Sequence, residues 1–268
     1  MEATTQQMIH GSSTHIFDGI IGRDYDLFKL ACPHNDELQH TVAESLRNAL
    51  LSKEKPAALE IGCGTGESAL WVLSYNSHIS LVSVDNEPMM IHQAETKLAF
   101  FIQQRGLQIR QDDILHFLQK QESETLDAIV SVFTLHNFDH AYRKKVLKEA
   151  YRVLKKDGIF INGDKYAHND PARHKKELMK QLDRFSIFGK IGREDLQKEW
   201  TDHYWRDNNT QIIQQEGNAL EEMTLIGFKQ VEKVYRKHME AIIIGRKSAP
   251  APTASDRNRN LHFHFFPD

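Results

Sequence analysis

The chain has 268 residues, 40% hydrophobic and 26% charged, with a formal net charge of −3. That length supports one large α/β domain with additions, and no run approaches the ~18 apolar residues of a membrane span. A slightly negative chain has no general attraction to nucleic acid or anionic membrane. Its basic clusters at 143–145, 155–156 and 173–176 are interleaved with apolar residues, as on solvated helix faces.

Residues 15–31 carry a short helical segment, and 35–51 a longer helix with Asn35 or Asp36 as N-cap. From there apolar runs alternate with helical ones. Strands are predicted at 57–61, 79–85, 107–113, 126–134 and 158–165, with helices at 66–76, 87–106, 114–121 and 141–158 between them. Pro88 suits the first turn of its helix, and Gly158 is expected to end the last one. This alternation argues for a parallel sheet with helices on both faces. After 165 the pattern changes to a polar, aromatic-rich helical stretch, then a helix and two strands close enough to form a hairpin within 220–247. The expected organisation is a helical lid at 1–52, a domain at 53–248 with a helical insert at 166–218, and a tail at 249–268.

Two cysteines, Cys32 and Cys63, lie far apart without metal-ligand spacing. The opening MEATTQQMIHGSSTH is polar and lacks a secretory apolar run, so a reduced, cytoplasmic protein is expected. In the tail, His262 and His264 alternate with aromatics. Without a third ligand nearby this reads as an apolar segment docked on its own domain or on a second copy, which allows a homodimer.

The chemistry concentrates at strand ends. Gly62, Gly64 and Gly66 follow the first strand as Gly-x-Gly-x-Gly. The dinucleotide fingerprint has another spacing and the phosphate loop needs a Gly-Lys-Ser/Thr end, so the loop presents bare backbone to a ligand without a phosphate grip. Asp85 ends the second strand, 21 residues after Gly64, where a carboxylate can accept from both hydroxyls of a ribose. Asp112 and Asp113 end the third strand, where one of them can accept from a base amino group, and VFTLHNF ends the fourth.

Four such marks in order, with the closing hairpin, resemble the class I S-adenosylmethionine (SAM) methyltransferases. The resemblance implies a Rossmann-like α/β sheet, mostly parallel with a closing antiparallel hairpin, N-terminal helices and a helical insert after strand five. It implies SAM as cofactor and S-adenosyl-L-homocysteine as product. The cofactor contacts it implies are Tyr25, Glu60, Gly62, Cys63, Gly64, Asp85, Asn86, Met90, Asp112, Asp113, Ile114 and Phe133. Within the superfamily, VDNEPMM, FTLHNF and DKYAHNDP look like the carboxy-S-adenosylmethionine synthase group, which modifies the cofactor ahead of a tRNA wobble-uridine modification. In REDLQKEW, however, Glu199 stands where an arginine would hold the extra carboxylate. An acid there favours plain methyl transfer.

For the reaction itself, His136 and Tyr25 are the catalytic candidates. His136 reads as general base or acceptor-orienting group, or as a residue whose backbone alone lines the site. Tyr25 reads as a cover over the cofactor or as a core tyrosine, and Arg23 as a partner of the methionine carboxylate or a surface group. The expected acceptor pocket is His136, Tyr166, Trp200 and Tyr204, with Phe185, Phe188, His203 and Trp205 nearby in the insert. Asp164 and His168 form a polar patch at the same rim, and no metal is expected. The expected activity is methyl transfer to an O, N or S atom of a small molecule. The cofactor-modifying synthase and a non-catalytic SAM-binding subunit are the alternatives. Nucleic acid and membrane are not expected partners, since no Asn-Pro-Pro-Tyr-like motif follows strand four.

Overall fold

The computed structural model describes residues 17–248. The polar opening and the aromatic tail with His262 and His264 fall outside these residues. The run Ala57–Ile61 forms β1, buried on both faces, and the helix Glu67–Tyr75 (α3, counting from the chain start) leaves from its carboxyl end. Before β1 come α1 (Ile20–Arg23), a 3-10 turn (Tyr25–Leu30) and α2 (Asn35–Leu50). After α3 the chain runs through β2 (Ser80–Asp85), α4 (Pro88–Lys97), α5 (Ala99–Gln103), β3 (Leu107–Gln111), α6 (Ile114–Lys120) and β4 (Leu126–Val132). A 3-10 turn (Leu135–Asn137), α7 (His140–Val153) and β5 (Leu154–Lys165) follow. The insert is α8 (Pro171–Arg184), α9 (Ser186–Lys190) and α10 (Glu194–Arg206), and α11 (Glu216–Ile226), β6 (Lys229–Lys237) and β7 (Glu240–Arg246) close the fold.

The seven strands lie in the order β3-β2-β1-β4-β5-β7-β6. Pairing is parallel from β3 to β5 and antiparallel between β5, β7 and β6. The order reverses between β1 and β4, which splays their carboxyl ends apart and opens a crevice there. The expected α/β architecture and closing hairpin are both present. No helix of the described residues is long and apolar enough to cross a membrane.

Three expected boundaries move. The helix of 87–106 breaks at Leu98 into α4 and α5, where the Leu98 amide bonds the carbonyl of Ala94 and its side chain is wholly buried. α7 stops at Val153 instead of Gly158: Leu154 is already extended and pairs with Leu126. A register shift then brings Ile159 opposite Ala128, with Asp157 at φ 65° making the turn within β5. Neither Asn35 nor Asp36 caps α2: both lie in its first turn, His34 holds the cap position, and no side chain bonds that end.

One face of the sheet packs on α2 and α3. Leu38 and Val42 of α2 lie directly over Gly163 of β5, where a Cβ would come within 2.8 Å of Val42 Cγ2. α2 therefore belongs to the core, and the covering segment is confined to what precedes it. The other face packs on α7 and α11 through Val146, Leu147, Ala150, Met223 and Phe228.

Candidate active site

Gly62, Gly64 and Gly66 all have positive φ, at +74°, +49° and +87°. A Cβ on Gly62 would lie 2.2 Å from Thr134 Oγ1, and one on Gly66 would lie 2.8 Å from Leu98 Cδ1. Only glycine satisfies both requirements. The loop so formed turns sharply from β1 into α3 and is pinned from the next strand. The Gly62 amide donates to the Val84 carbonyl at 2.8 Å, and the Gly64 amide donates to Asp85 Oδ2 at 2.8 Å.

Asp85 holds the amide of Glu87 with its other oxygen, at 3.0 Å. Burial raises its pKa, and the backbone donors from Glu87 and Gly64 pull the other way. A carboxylate has about four acceptor positions. These amides and that of Asn86 occupy part of this capacity. Beyond β3, Asp113 caps α6 by accepting from the His116 amide at 2.9 Å and accepts from the Tyr142 hydroxyl at 2.6 Å. Asp112 is held by the His116 ring at 2.7 Å and Lys120 at 3.2 Å, and the His116 contact is the main cause of its lowered pKa.

These groups line one cleft enclosing roughly 1100 Å³, open solvent at its mouth included. Eleven of the twelve expected cofactor residues are on its wall: Tyr25, Gly62, Cys63, Gly64, Asp85, Asn86, Met90, Asp112, Asp113, Ile114 and Phe133. Glu60 is not. It lies wholly buried behind the loop, accepting from Ser68 and Ser83, and burial pushes its carboxyl up to about 7. Its place is as an internal strut between β1, β2 and α3.

Nor does the cleft wall include any of the four expected acceptor residues. His136 turns its ring away from it: Nδ1 meets Asp164 Oδ1 at 2.5 Å, and its amide donates to Asp164 Oδ2 at 3.1 Å. Tyr166 passes through to the opposite face of the sheet, where its hydroxyl accepts from Asn162 at 2.6 Å. Trp200 and Tyr204 stand one layer back. Trp200 packs on Phe28 with ring centres 4.4 Å apart and on Tyr25 at 5.8 Å, while Tyr204 sits at 5.0 Å from Phe185. Phe188 belongs to the same packing, and Trp205 is exposed. Arg23 is an exposed partner of Asp24. His168 is buried with its pKa lowered to about 4, first by desolvation and then by Arg236. Glu199 is half-buried on α10 and absent from the cleft wall.

The cleft wall also includes Phe17, Asp26, Phe28, Lys29, Asn35, Gln39, Thr65, Thr134, Asn137, Phe138 and Tyr142. Four of them, Phe17, Asp26, Phe28 and Lys29, come from the segment before α2. That segment is tied down over the loop: the Thr65 hydroxyl donates to Asp26 at 2.6 Å, Lys97 pairs with Asp26 at 2.9 Å, and Gln93 donates to the Gly22 carbonyl at 2.9 Å. Gln39 and Asn137 each keep a buried amide oxygen with no partner among the described residues. Buried acceptors of this kind are ordinarily satisfied, so a bound molecule with N–H or O–H donors fits the cleft.

Residues 59–160 match a family model described as a methyltransferase domain. A demethylmenaquinone methyltransferase of Lactobacillus johnsonii is 29% identical over 143 residues, covering 50% of this chain and 57% of that protein. The chain thus spans little more than half of that relative's length. A carboxy-S-adenosyl-L-methionine synthase of Nautilia profundicola is 25% identical over 242 residues, covering 87% of this chain and 91% of that protein. Among solved structures, one from Methanococcus maripaludis assigned to the SAM-dependent methyltransferases superposes with a TM-score of 0.59 at 18% identity, over 94% of this chain and 99% of that one. Strand order, glycine loop and structural neighbours agree on the class I methyltransferase fold, and residues 59–160 are similar to a methyltransferase domain.

Proposed function

We propose that the protein moves the methyl group of SAM to an O, N or S atom of a small, partly apolar acceptor enclosed in the cleft. One observation carries this reading. The glycine loop, Asp85 and Asp112–Asp113 line the same cleft as Phe17, Phe28, Phe133 and Phe138. When bound, SAM supplies an electrophilic methyl on a cationic sulfonium.

The bare backbone of the glycine loop lies against the amino-acid end, Asp85 takes the ribose, and Met90, Ile114 and the two acids after β3 surround the base. The phenylalanines exclude water and fix the acceptor in line, which for an inherently reactive sulfonium is the larger part of the catalytic task. Asn35, Gln39 and Asn137 supply the polar contacts that orient it. Tyr25 closes the cofactor end from the covering segment, and burial keeps its phenol protonated by raising its pKa. With the His136 ring turned towards Asp164, positioning serves the reaction without a base from that residue. The test is incubation with methyl-labelled SAM and fractionated metabolites, wild type beside Asp85→Ala. Label transfer that disappears in the variant supports the reading. No transfer to any fraction, with SAM bound intact, refutes it and leaves a binding subunit.

A second reading, the cofactor-modifying synthase, is favoured by the match to that group along 87% of this chain. Mass spectrometry of the cofactor that co-purifies separates the two: a carboxylated SAM selects the synthase, and unmodified SAM or its demethylated product selects methyl transfer.

A further inference from the structure

Behind the cleft lies a buried polar cluster that methyl transfer does not use. It joins the end of the sheet to the insert. His136 comes from the turn after β4, Asp164 and Lys165 from β5, His203 from α10, and Asp207 from the end of that helix. All are buried. Two imidazole nitrogens converge on one carboxylate oxygen: His203 Nε2 lies 3.4 Å and His136 Nε2 4.0 Å from Asp207 Oδ2. All three ligand atoms lie within 4.8 Å of one another.

We propose that His136, His203 and Asp207 form a three-ligand site for a late first-row divalent cation of the Zn²⁺ type. The donor set is the right one, neutral imidazole with a carboxylate. With bonds of about 2.0–2.1 Å around a tetrahedral ion, ligand atoms stand roughly 3.3 Å apart. The observed separations, at most 4.8 Å, therefore need to contract by up to about 1.5 Å.

Two further observations support it. Asp164 takes the Nδ1 side of His136 at 2.5 Å and also its backbone amide. That is the outer-shell carboxylate that ordinarily fixes a ligating histidine, with its Nε2 lone pair directed at the ion. Among the described residues His203 has no hydrogen-bond partner on Nδ1, and its Nε2 makes a 3.4 Å approach to Asp207. A wholly buried imidazole with so little hydrogen bonding is explained if its working contact is to an ion.

Lys165 is the built-in competitor. Its ammonium bonds Asp207 Oδ2 and lies 3.9 Å above the Tyr204 ring, so a metal must displace it from that oxygen. The site would clamp α10 to the β4–β5 edge. Phe17 would stand between the ion and the cofactor cleft, since its ring lies 5.8 Å from His203 and also lines the cleft.

The experiment uses the full chain, stripped with a chelator and titrated with Co²⁺ under visible absorption, with Zn²⁺ as competitor. One Co²⁺ per chain, with the intense bands of four-coordinate cobalt, is expected. These should be lost in His203→Ala and Asp207→Asn and should strengthen at least tenfold in affinity in Lys165→Met. Circular dichroism and SAM binding establish that each variant is folded. Wild type and folded Lys165→Met that take up no more metal than folded His203→Ala overturn the proposal, as do cobalt bands that survive both ligand substitutions.

Discussion

Asp85 is the residue through which the cofactor end of the cleft can be tested most sharply. Its carboxylate holds the Gly64 amide at 2.8 Å and the Glu87 amide at 3.0 Å, and the residue lines the cleft. Asp85→Asn keeps the volume but leaves one carbonyl oxygen in place of two, and puts an NH₂ where the second stood. It can hold one amide and lose the diol, or the reverse. Each hydrogen bond to a charged acceptor is worth about 1.5–3 kcal/mol, so two lost ribose contacts cost SAM about 3 kcal/mol or more. That is a loss of roughly 100-fold or more in affinity. The freed amide should lower global stability by a further ~1–2 kcal/mol. Calorimetric titration with SAM and S-adenosylhomocysteine reads the first effect and thermal melting the second. A Kd within threefold of wild type, alongside a lowered melting temperature, would refute the reasoning. Asp85 would then be only a tether for the glycine loop.

Two further outcomes follow from the same loop. Gly62→Ala and Gly64→Ala should separate: both meet the ~1 kcal/mol or larger penalty of positive φ, but only the first drives a Cβ into Thr134, whereas nothing lies within 4 Å of one on Gly64. Thermal melts should show the larger loss for Gly62→Ala, and equal losses would mean that the close approach to Thr134 is not a constraint. Glu60 gives a pH signature, because burial lifts its folded pKa to about 7 from about 4.5. Between those values the folded state holds the proton and the unfolded chain does not, so this group's contribution to stability falls as pH rises from 4.5 to 7, by about 3 kcal/mol in total. His203 and His168, with pKa values lowered to about 3 and about 4, act in the opposite direction below pH 6.5. The readout is therefore the difference between wild type and Glu60→Gln in denaturant melts from pH 5 to 8. That difference should shift in favour of the variant as pH rises, and a flat difference would contradict a raised Glu60.

The sheet and the cofactor half of the cleft were legible because both depend on local, periodic or backbone-level signals. β1 and β4 are buried on both faces and read as continuous apolar runs, and the glycine loop declares itself by three residues that no helix or strand would choose. Asp85 and Asp113 were findable because strand ends in a doubly wound sheet deliver their residues to the same rim. Glu60 was misplaced by one step of alternation: successive strand residues face opposite sides, and its side chain points to Ser68 and Ser83 beneath the loop. The local chemistry at Gly158 fits a helix end, but pairing of Leu154 with Leu126 stops α7 earlier. Tertiary pairing outweighed the local cap.

The acceptor half illustrates a different limit. Trp200, His203 and Tyr204 share one face of α10 by their spacing, and that face is indeed turned inward. Periodicity says that a face is buried, not whether it meets a cavity or another side chain. Here the covering segment before α2 slides between, so that Phe17, Tyr25 and Phe28 present their own rings to the cleft and receive the insert's rings on their backs. The same arrangement turns His136 from an acceptor-side group into part of the polar seam at which insert and sheet meet. The two layers are thereby coupled. An acceptor that pushes on Phe28 pushes on Trp200, at 4.4 Å behind it, and through α10 on His203 and Asp207. Acceptor preference in this chain should therefore respond to substitutions in α10 that never touch the acceptor.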